Sequence, residues 1–163
     1  MVNGSGVVDI QAAAVDGDGD ANNISHFMCI SSYYNYDLVV LKRDSDLLSP
    51  YARINISAAI GSSAPIAAIA YSDGLLYVST QISVVPMYLL KLNFETETAQ
   101  LIGTINSAQY GFNPGIANLF GAIILPNEKT IYDHLTSSSG QAIFRSSYRT
   151  FVPTASETLG NII

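Results

Sequence analysis

The sequence predicts an all-β protein made of antiparallel meander sheets. Apolar runs of about four to eight residues, rich in Ile, Leu, Val, Tyr and Thr, recur along the chain, as strands require. Turn-forming or charged residues bound each run. Related patterns return at intervals of about forty to fifty residues, which is a typical period for a repeated sheet unit. These features favour several similar sheets built from consecutive strands.

The segment of residues 65–105 has the clearest strand pattern. Its turns fall at residues 72–74, 81–86 and 95–98, and the apolar runs read PIAAIAY, GLLYVST, MYLLKLNF and AQLIGTI. Because the four runs follow one another with short connections, they predict four antiparallel strands in one meander sheet.

Residues 65–105 also resemble one blade of a β-propeller repeat. An apolar strand leads into Asp73-Gly74 and LLYV, and after a loop the chain continues as MYLLKLN, an acidic-threonine turn and QLIGTI. The sequence departs from the repeat at residues 95–98, where the usual glycine of the turn is missing. The resemblance covers about a quarter of the chain and implies a sheet that fans out from an axis beside similar sheets.

Other strands are predicted on both sides of this segment. Residues 6–15 read as a strand, with a short helix over residues 11–15 as the alternative. Further strands are predicted by the same apolar runs and intervening turns over residues 24–32, 37–43, 51–57, 119–125, 130–135, 142–149 and 157–163.

Aligning these strands gives three blade-like units in a single all-β domain of residues 1–163. The units cover residues 23–57, 65–105 and 114–162. A closed propeller usually has about four to eight blades, so three units predict an incomplete ring that leaves two open sheet edges. A β-sandwich or jelly roll made of the same strands is the alternative fold.

The composition restricts the partners of this domain. The chain has 163 residues, a net charge of −6 and 12% charged residues, about half the usual content of roughly 25%. The seven Lys and Arg residues are scattered, which argues against nucleic acid and against an anionic membrane surface as partners. The low charge content predicts that part of the surface is covered. Cys29 is the single cysteine, which excludes an internal disulfide.

An acidic cluster near the N-terminus is the candidate metal site. Asp16, Asp18, Asp20 and Asn22 alternate along a stretch rich in Gly and Asp. Oxygen ligands at alternate positions of a tight loop can point inward at one hard cation. The spacing resembles the D-x-D-x-D core of calcium loops, which implies calcium as a cofactor. Asp and Gly also form ordinary turns, so a solvated acidic turn without metal stays the alternative.

A tyrosine-rich segment is the candidate ligand-binding site. Tyr33, Tyr34 and Tyr36 surround Asn35 between two predicted strands. Flat aromatic faces beside an amide are suited to a glycan or another planar ligand. Tyrosine is also a common amphipathic residue of strands and interfaces, so a purely structural role stays open.

The sequence lacks the motifs of the common catalytic sites. It contains no G-x-S-x-G, no G-x-x-x-x-G-K-S/T and no H-E-x-x-H. His26 and His134 are the only histidines, and His26 fits a hydrogen-bonded position in an apolar strand. Asp133 and His134 are neighbours on a predicted strand and point to opposite faces, so they cannot form a triad with a serine.

These observations predict a non-catalytic binding or assembly module that presents a β-propeller-like surface. Protein partners are expected, with self-association through the open sheet edges. An extracellular or virion-like setting fits such a module. Two alternatives remain: a lectin-like module that binds a glycan with a calcium loop, and a fragment of a propeller hydrolase whose other blades complete the active site.

Overall fold

The computed structural model describes residues 10–16, 25–31, 37–80, 86–106, 118–125, 130–137, 140–147 and 152–159. These ranges consist mainly of strands with one helix of five residues. The prediction of an all-β protein is therefore confirmed. Within the same ranges, no helix is long and apolar enough to cross a bilayer.

The strands form three antiparallel sheets of four strands each, and each sheet uses four consecutive strands. The first sheet contains β1 (Ile10–Val15), β2 (His26–Ser31), β3 (Asp37–Asp44) and β4 (Leu47–Asn55). Helix α1 (Ile56–Ile60) follows it. The second sheet contains β5 (Ile66–Ser72), β6 (Leu75–Thr80), β7 (Pro86–Asn93) and β8 (Thr98–Asn106). The third contains β9 (Asn118–Leu125), β10 (Thr130–Ser137), β11 (Gly140–Ser147) and β12 (Val152–Leu159).

Several element boundaries differ from the sequence prediction. The first unit was expected to start at residue 23, but the first sheet starts with Ile10–Val15, and His26–Ser31 is its second strand. Residues 56 and 57, predicted to continue a strand, belong to α1. The last strand, predicted to begin at residue 157, begins already at Val152, where Val152 pairs with Ser147 of β11.

The hairpin between β5 and β6 is closed by the two residues Asp73 and Gly74. Ser72 and Leu75 are the last paired residues on either side. Both turn residues have positive φ angles, 52° at Asp73 and 78° at Gly74. Positive φ at both central positions is the geometry of a type I′ turn, whose twist matches that of the flanking strands. The Asp-Gly pair therefore fixes the register of the hairpin.

The turn between β7 and β8 includes a non-glycine residue with a positive φ angle. Glu97 has a φ of 53°, in the left-handed region. The side-chain Oδ1 of Asn93 supports the turn by accepting hydrogen bonds from the backbone N–H groups of Glu95 and Thr96, at 3.0 and 3.1 Å. Glu97 Oε1 accepts a hydrogen bond of 3.1 Å from the backbone N–H of Arg53. This side chain therefore links the second sheet to the outermost strand of the first.

Helix α1 connects the last strand of the first sheet to the first strand of the second. Asn55 caps its N-terminus, since its side-chain oxygen accepts a hydrogen bond of 2.8 Å from the N–H of Ala58. Gly61 ends the helix with a φ of 66°, as a left-handed C-cap. Ile56 and Ile60 are buried, so the helix closes one side of the core between the two sheets.

The main hydrophobic core lies between the first and second sheets. Alternate residues along each strand point into it, which follows from the two-residue period of a strand. The buried side chains of this core are Met28, Ile30, Leu38, Val40, Ala52 and Ile54 from the first sheet, Ile56 and Ile60 from α1, and Ile66, Ile69, Leu76, Val78, Tyr88, Leu90 and Leu92 from the second sheet.

The second sheet is buried on its other face as well. Tyr77, Met87 and Leu89 alternate with the core residues of β6 and β7 and are fully buried. Strand β5 contacts β9 of the third sheet, where Ile131 of β10 is also fully buried. The second sheet therefore lies between the other two, with apolar side chains on both faces.

The three sheets approach one another most closely at their first strands. Cα atoms of β1 and β5 come within 8 Å of each other, and so do those of β5 and β9. This is closer than the roughly 10 Å between sheets that pack flat against each other. The sheets therefore converge along β1, β5 and β9, which lie side by side in that order.

Gly74 is a sensitive position of the second sheet. Replacing Gly74 by Ala should lower the free energy of unfolding by about 1–2 kcal/mol, because an L side chain is disfavoured at positive φ. A Cβ at this position would meet no atom within 4 Å, so the cost is in the backbone and not in a clash. Urea unfolding of the native chain and of the Gly74→Ala variant measures this change in the free energy of unfolding. Ser45→Gly, the opposite change at a φ of 55°, is the control and should not destabilise the fold. An Ala variant as stable as the native chain would contradict this account of the turn.

Candidate interaction surface

The first sheet is apolar on both of its faces. On the face toward the second sheet, Met28, Ile30, Leu38 and Val40 are at most 1% exposed. Between these residues along β2 and β3 stand further apolar residues, which alternation assigns to the opposite face. The first sheet therefore has the two-sided apolar pattern that is expected of a sheet covered on both sides.

The second of these faces, called the outer face below, consists of Val15, Phe27, Cys29, Val39 and Leu41. The register joins them across the strands, because Phe27 pairs with both Val15 and Leu41, and Cys29 pairs with Val39. Val15 is 41% exposed, and the other four are half-buried. These side chains retain contact with solvent, whereas their counterparts on the covered face do not.

Cys29 lies in the middle of the outer face. Partial burial raises the pKa of its thiol, because desolvation disfavours the thiolate. A thiol with a raised pKa is a poor nucleophile at neutral pH. Cys29 therefore behaves as a small apolar residue of this face.

An ion pair lies at one end of the outer face. Asp37 and Arg53 belong to this face because Val39 pairs with Arg53 and stands two residues after Asp37. Arg53 Nε donates a hydrogen bond of 2.7 Å to Asp37 Oδ2. The Arg53 side chain is 57% exposed, while that of Asp37 is 11% exposed. In the described part of the chain, Asp37 Oδ1 is buried without a hydrogen-bond partner.

The outermost strands β4 and β8 have exposed apolar side chains but irregular backbones. In β4 the pairing shifts near Pro50, which has no N–H, and in β8 it shifts at Ile102. Bulges and proline at an edge disfavour pairing with a further strand. The exposed large apolar side chains of the two strands are Leu47, Leu48 and Tyr51 in β4 and Leu101 and Ile102 in β8.

A polar cluster joins the end of β1 to the start of β2. Asp16 Oδ1 accepts hydrogen bonds from the backbone N–H groups of Ser25 and His26, at 2.9 and 2.7 Å. Asp16 Oδ2 lies 2.6 Å from Ser25 Oγ and 2.6 Å from His26 Nδ1. Burial alone would raise the pKa of Asp16, but these hydrogen bonds outweigh it and lower the pKa below its usual value. Asp16 therefore acts as a clamp between the two strands.

The arrangement of Asp16, Ser25 and His26 is not that of a catalytic triad. In a triad the serine contacts one nitrogen of the imidazole and the carboxylate orients the other. Here Ser25 Oγ is 2.8 Å from Nδ1 of His26, and Asp16 Oδ2 contacts the same atom. A proton cannot be relayed from serine to carboxylate through the ring in this geometry. The cluster is therefore structural.

Aromatic rings cover the core beside this cluster. The His26 ring lies 5.2 Å from that of Tyr51 and 5.3 Å from that of Phe94, and Phe94 is 5.9 Å from Tyr71. Lys42 Nζ lies 5.3 Å from the centre of the Tyr51 ring, in a cation–π contact. Burial raises the pKa of Tyr71, and the nearby carboxylates add to this effect. These rings connect the first sheet to the second at the end where the turns lie.

Most of the site residues predicted from the sequence lie outside the described ranges. Asp18, Asp20 and Asn22 fall between β1 and β2, and Tyr33, Tyr34 and Tyr36 fall between β2 and β3. The calcium and ligand-binding sites therefore stay predictions. Among the described residues no group of three or more potential metal ligands comes together. Asp16 is described, and its oxygens already accept hydrogen bonds, so a cation there would have to displace some of them.

The outer face is not among the sites predicted from the sequence, although the sequence contains a signal for it. HFMCI in β2 and LVVL in β3 are continuous apolar runs without polar alternation. Such runs are typical of strands buried on both faces. The same pattern in the second sheet does correspond to burial on both sides.

The Asp16 clamp predicts a pH-dependent stability. Replacing Asp16 by Asn should lower the free energy of unfolding by about 1–3 kcal/mol at neutral pH, because an amide nitrogen in place of Oδ2 cannot accept the hydrogen bonds of the Ser25 hydroxyl and the His26 ring. The folded pKa of Asp16 is lower than its usual 3.8. Its contribution is thus complete above the unfolded pKa and is lost as the pH falls through the folded one. Urea unfolding at a series of pH values measures both effects.

Asp46→Asn is the matched control for this measurement. Asp46 is an exposed acid in the turn between β3 and β4, so its replacement should leave stability almost unchanged. If the two variants showed the same stability and the same acid response, Asp16 would not be a clamp.

No protein family model matches the sequence, and no curated protein matches it. The similarity of residues 65–105 to a propeller blade therefore stays an expectation, and function has to be inferred from the surface described above.

Proposed function

We propose that this protein is a non-catalytic assembly module that binds a partner protein through an open sheet face. The observation that supports the proposal is the outer face of the first sheet. It joins Val15, Phe27, Cys29, Val39 and Leu41 into one apolar surface that remains partly exposed. Contiguous exposed apolar patches in soluble proteins are typical of interaction sites.

The second sheet shows how deeply apolar residues are buried when both faces of a sheet are covered. Its residues Tyr77 and Leu89 on one face, and Val78 and Leu90 on the other, are all fully buried. The first sheet has the same two-sided apolar character, but only one of its faces reaches that degree of burial. A protein partner on the outer face would remove the difference.

The composition supports a protein as the partner. With 12% charged residues and a net charge of −6, the chain lacks the basic surface that phosphate groups require. Protein interfaces, in contrast, are depleted of charged residues at their centres and rich in aromatic and apolar ones. The outer face has this composition, with the Asp37–Arg53 ion pair at one end.

The absence of a catalytic role is part of the proposal. The polar cluster that most resembles a catalytic site has Asp16 and Ser25 on the same nitrogen of His26. The tertiary arrangement of these three groups favours the stability of β1 and β2 over proton transfer.

A propeller-like arrangement of the sheets is the finer part of the proposal. The convergence of β1, β5 and β9 supports it, since propeller blades meet at one strand of each sheet around a channel. Three sheets are fewer than the roughly four to eight of a closed propeller. The three described sheets then form an arc and not a closed ring.

The mass of the particle in solution tests the assembly role. Light scattering of the full chain after size-exclusion chromatography should give a mass above 17.4 kDa, and the mass should decrease on dilution if the complex dissociates. A particle of 17.4 kDa at every protein concentration would refute self-assembly.

A further inference from the structure

We infer that the outer face of the first sheet binds the third sheet of a second copy, so that two chains close one ring of six sheets. The inference rests on the proposed assembly function and specifies the partner and the contact surface. It follows from the correspondence between the sheets of one chain.

The third strands of the first two sheets correspond residue by residue. Strands β3 and β7 have eight residues each and contain the related segments LVVLK and MYLLK. Val39 and Leu41 then correspond to Tyr88 and Leu90, and Val40 corresponds to Leu89. The faces of the two sheets can be matched in the same way.

Matching the faces shows what the outer face is suited to contact. Tyr88 and Leu90 belong to the core between the first and second sheets, so they form the face with which a sheet packs on its predecessor. Val39 and Leu41 form the corresponding face of the first sheet, which has no predecessor among the described elements of the chain. The surface that would pack on Val39 and Leu41 is therefore the face that one sheet presents to the next sheet along the chain.

The third sheet has such a face. Ile131 is fully buried, and β5 contacts β9, so one side of the third sheet is covered by the second. In the described part of the chain no later sheet follows the third. The second sheet separates the first from the third within one chain, whereas a second copy offers its third sheet to the first sheet of this one.

In a pair of chains, the outer face of each first sheet and the uncovered face of each third sheet are covered at once. Six sheets fall within the range of about four to eight that close a propeller. A rotation by half a turn brings each first sheet onto the third sheet of the other chain, so the two contacts are identical and no open face remains. Without closure, the same head-to-tail contact would continue as a filament.

The area of the contact also favours closure. The strands of the first sheet have six to nine residues, which gives a sheet face of about 400–500 Å² from standard strand dimensions. One such contact is small for a stable complex, whereas two contacts reach roughly 800–1,000 Å² on each chain. A closed pair therefore has the area of a standard interface.

Cys29 makes the inference testable in the native full chain. It is the single cysteine and lies in the middle of the outer face, so alkylation by N-ethylmaleimide reports on this face alone. In the closed pair the thiol should react at least about tenfold more slowly than in a folded single chain, because the interface excludes the reagent. The reaction in urea gives the rate of the fully accessible thiol.

Two substitutions test whether the chains associate through the outer face or through the edge strand β4. Leu41→Lys places a charge on the outer face, on the strand next to that of Cys29. This variant should be a folded particle of 17.4 kDa in which Cys29 reacts about tenfold faster than in the native pair. Leu48→Lys makes the same change at an exposed position of β4 and should keep twice that mass and a protected thiol. Circular dichroism confirms that each variant is folded.

The possible results distinguish this inference from the proposed function. If the native chain has twice the mass but only Leu48→Lys dissociates it, association occurs at the edge; the assembly role then stands and the inference is wrong. If Cys29 is protected in a native particle of 17.4 kDa, the chain covers its own outer face and both are wrong.

If Leu41→Lys does not fold, Val39→Thr, a change of similar shape, replaces it, and an unchanged mass and labelling rate in that variant overturns the inference.

Discussion

Burial of the second sheet on both faces is the constraint on which the rest of this structure depends. Tyr77 and Val78 are neighbours on one strand, point to opposite sides and are both fully buried. A strand with this pattern is stable only if a layer covers each side of its sheet, since burial of an aromatic or aliphatic side chain contributes about 1.5–3 kcal/mol. The first and third sheets provide these layers. Because they are four-stranded sheets themselves, each has a further face.

Local interactions at the turns hold each sheet in the register that this stacking requires. A slip of one residue would exchange the two faces of a strand and place polar groups in the core. Asp73 and Gly74 set the register of one hairpin through their positive φ angles, and Asn93 stabilises another through its side-chain oxygen. Asp16 joins β1 to β2, and Glu97 joins the second sheet to Arg53 of the first. Turn chemistry and sheet packing thus support the same arrangement.

Among the described residues, the polar contacts stabilise the fold, and the proposed assembly role uses an apolar surface. Asp16, Ser25 and His26 contact one another closely, yet their geometry favours structure over proton transfer. The edge strands expose Leu48 and Ile102, but their bulges and Pro50 make them poor templates for another strand. The outer face of the first sheet has neither restriction. An assembly function through this face agrees with the low charge content of the chain.

The sequence alone determined the fold class and most strands, because these depend on local patterns. Short apolar runs and turn residues such as Asp73-Gly74 predicted the four strands of the second sheet to within about two residues. The assignment of His26–Ser31 as a second strand and the capping of a helix by Asn55 depend on which segments pair and pack, and only the tertiary structure decided them. The same holds for the outer face. Residues 39 and 40 are both valine, so the sequence gives them the same character. Their exposure differs because the second sheet covers one side of β3 and leaves the other in contact with solvent.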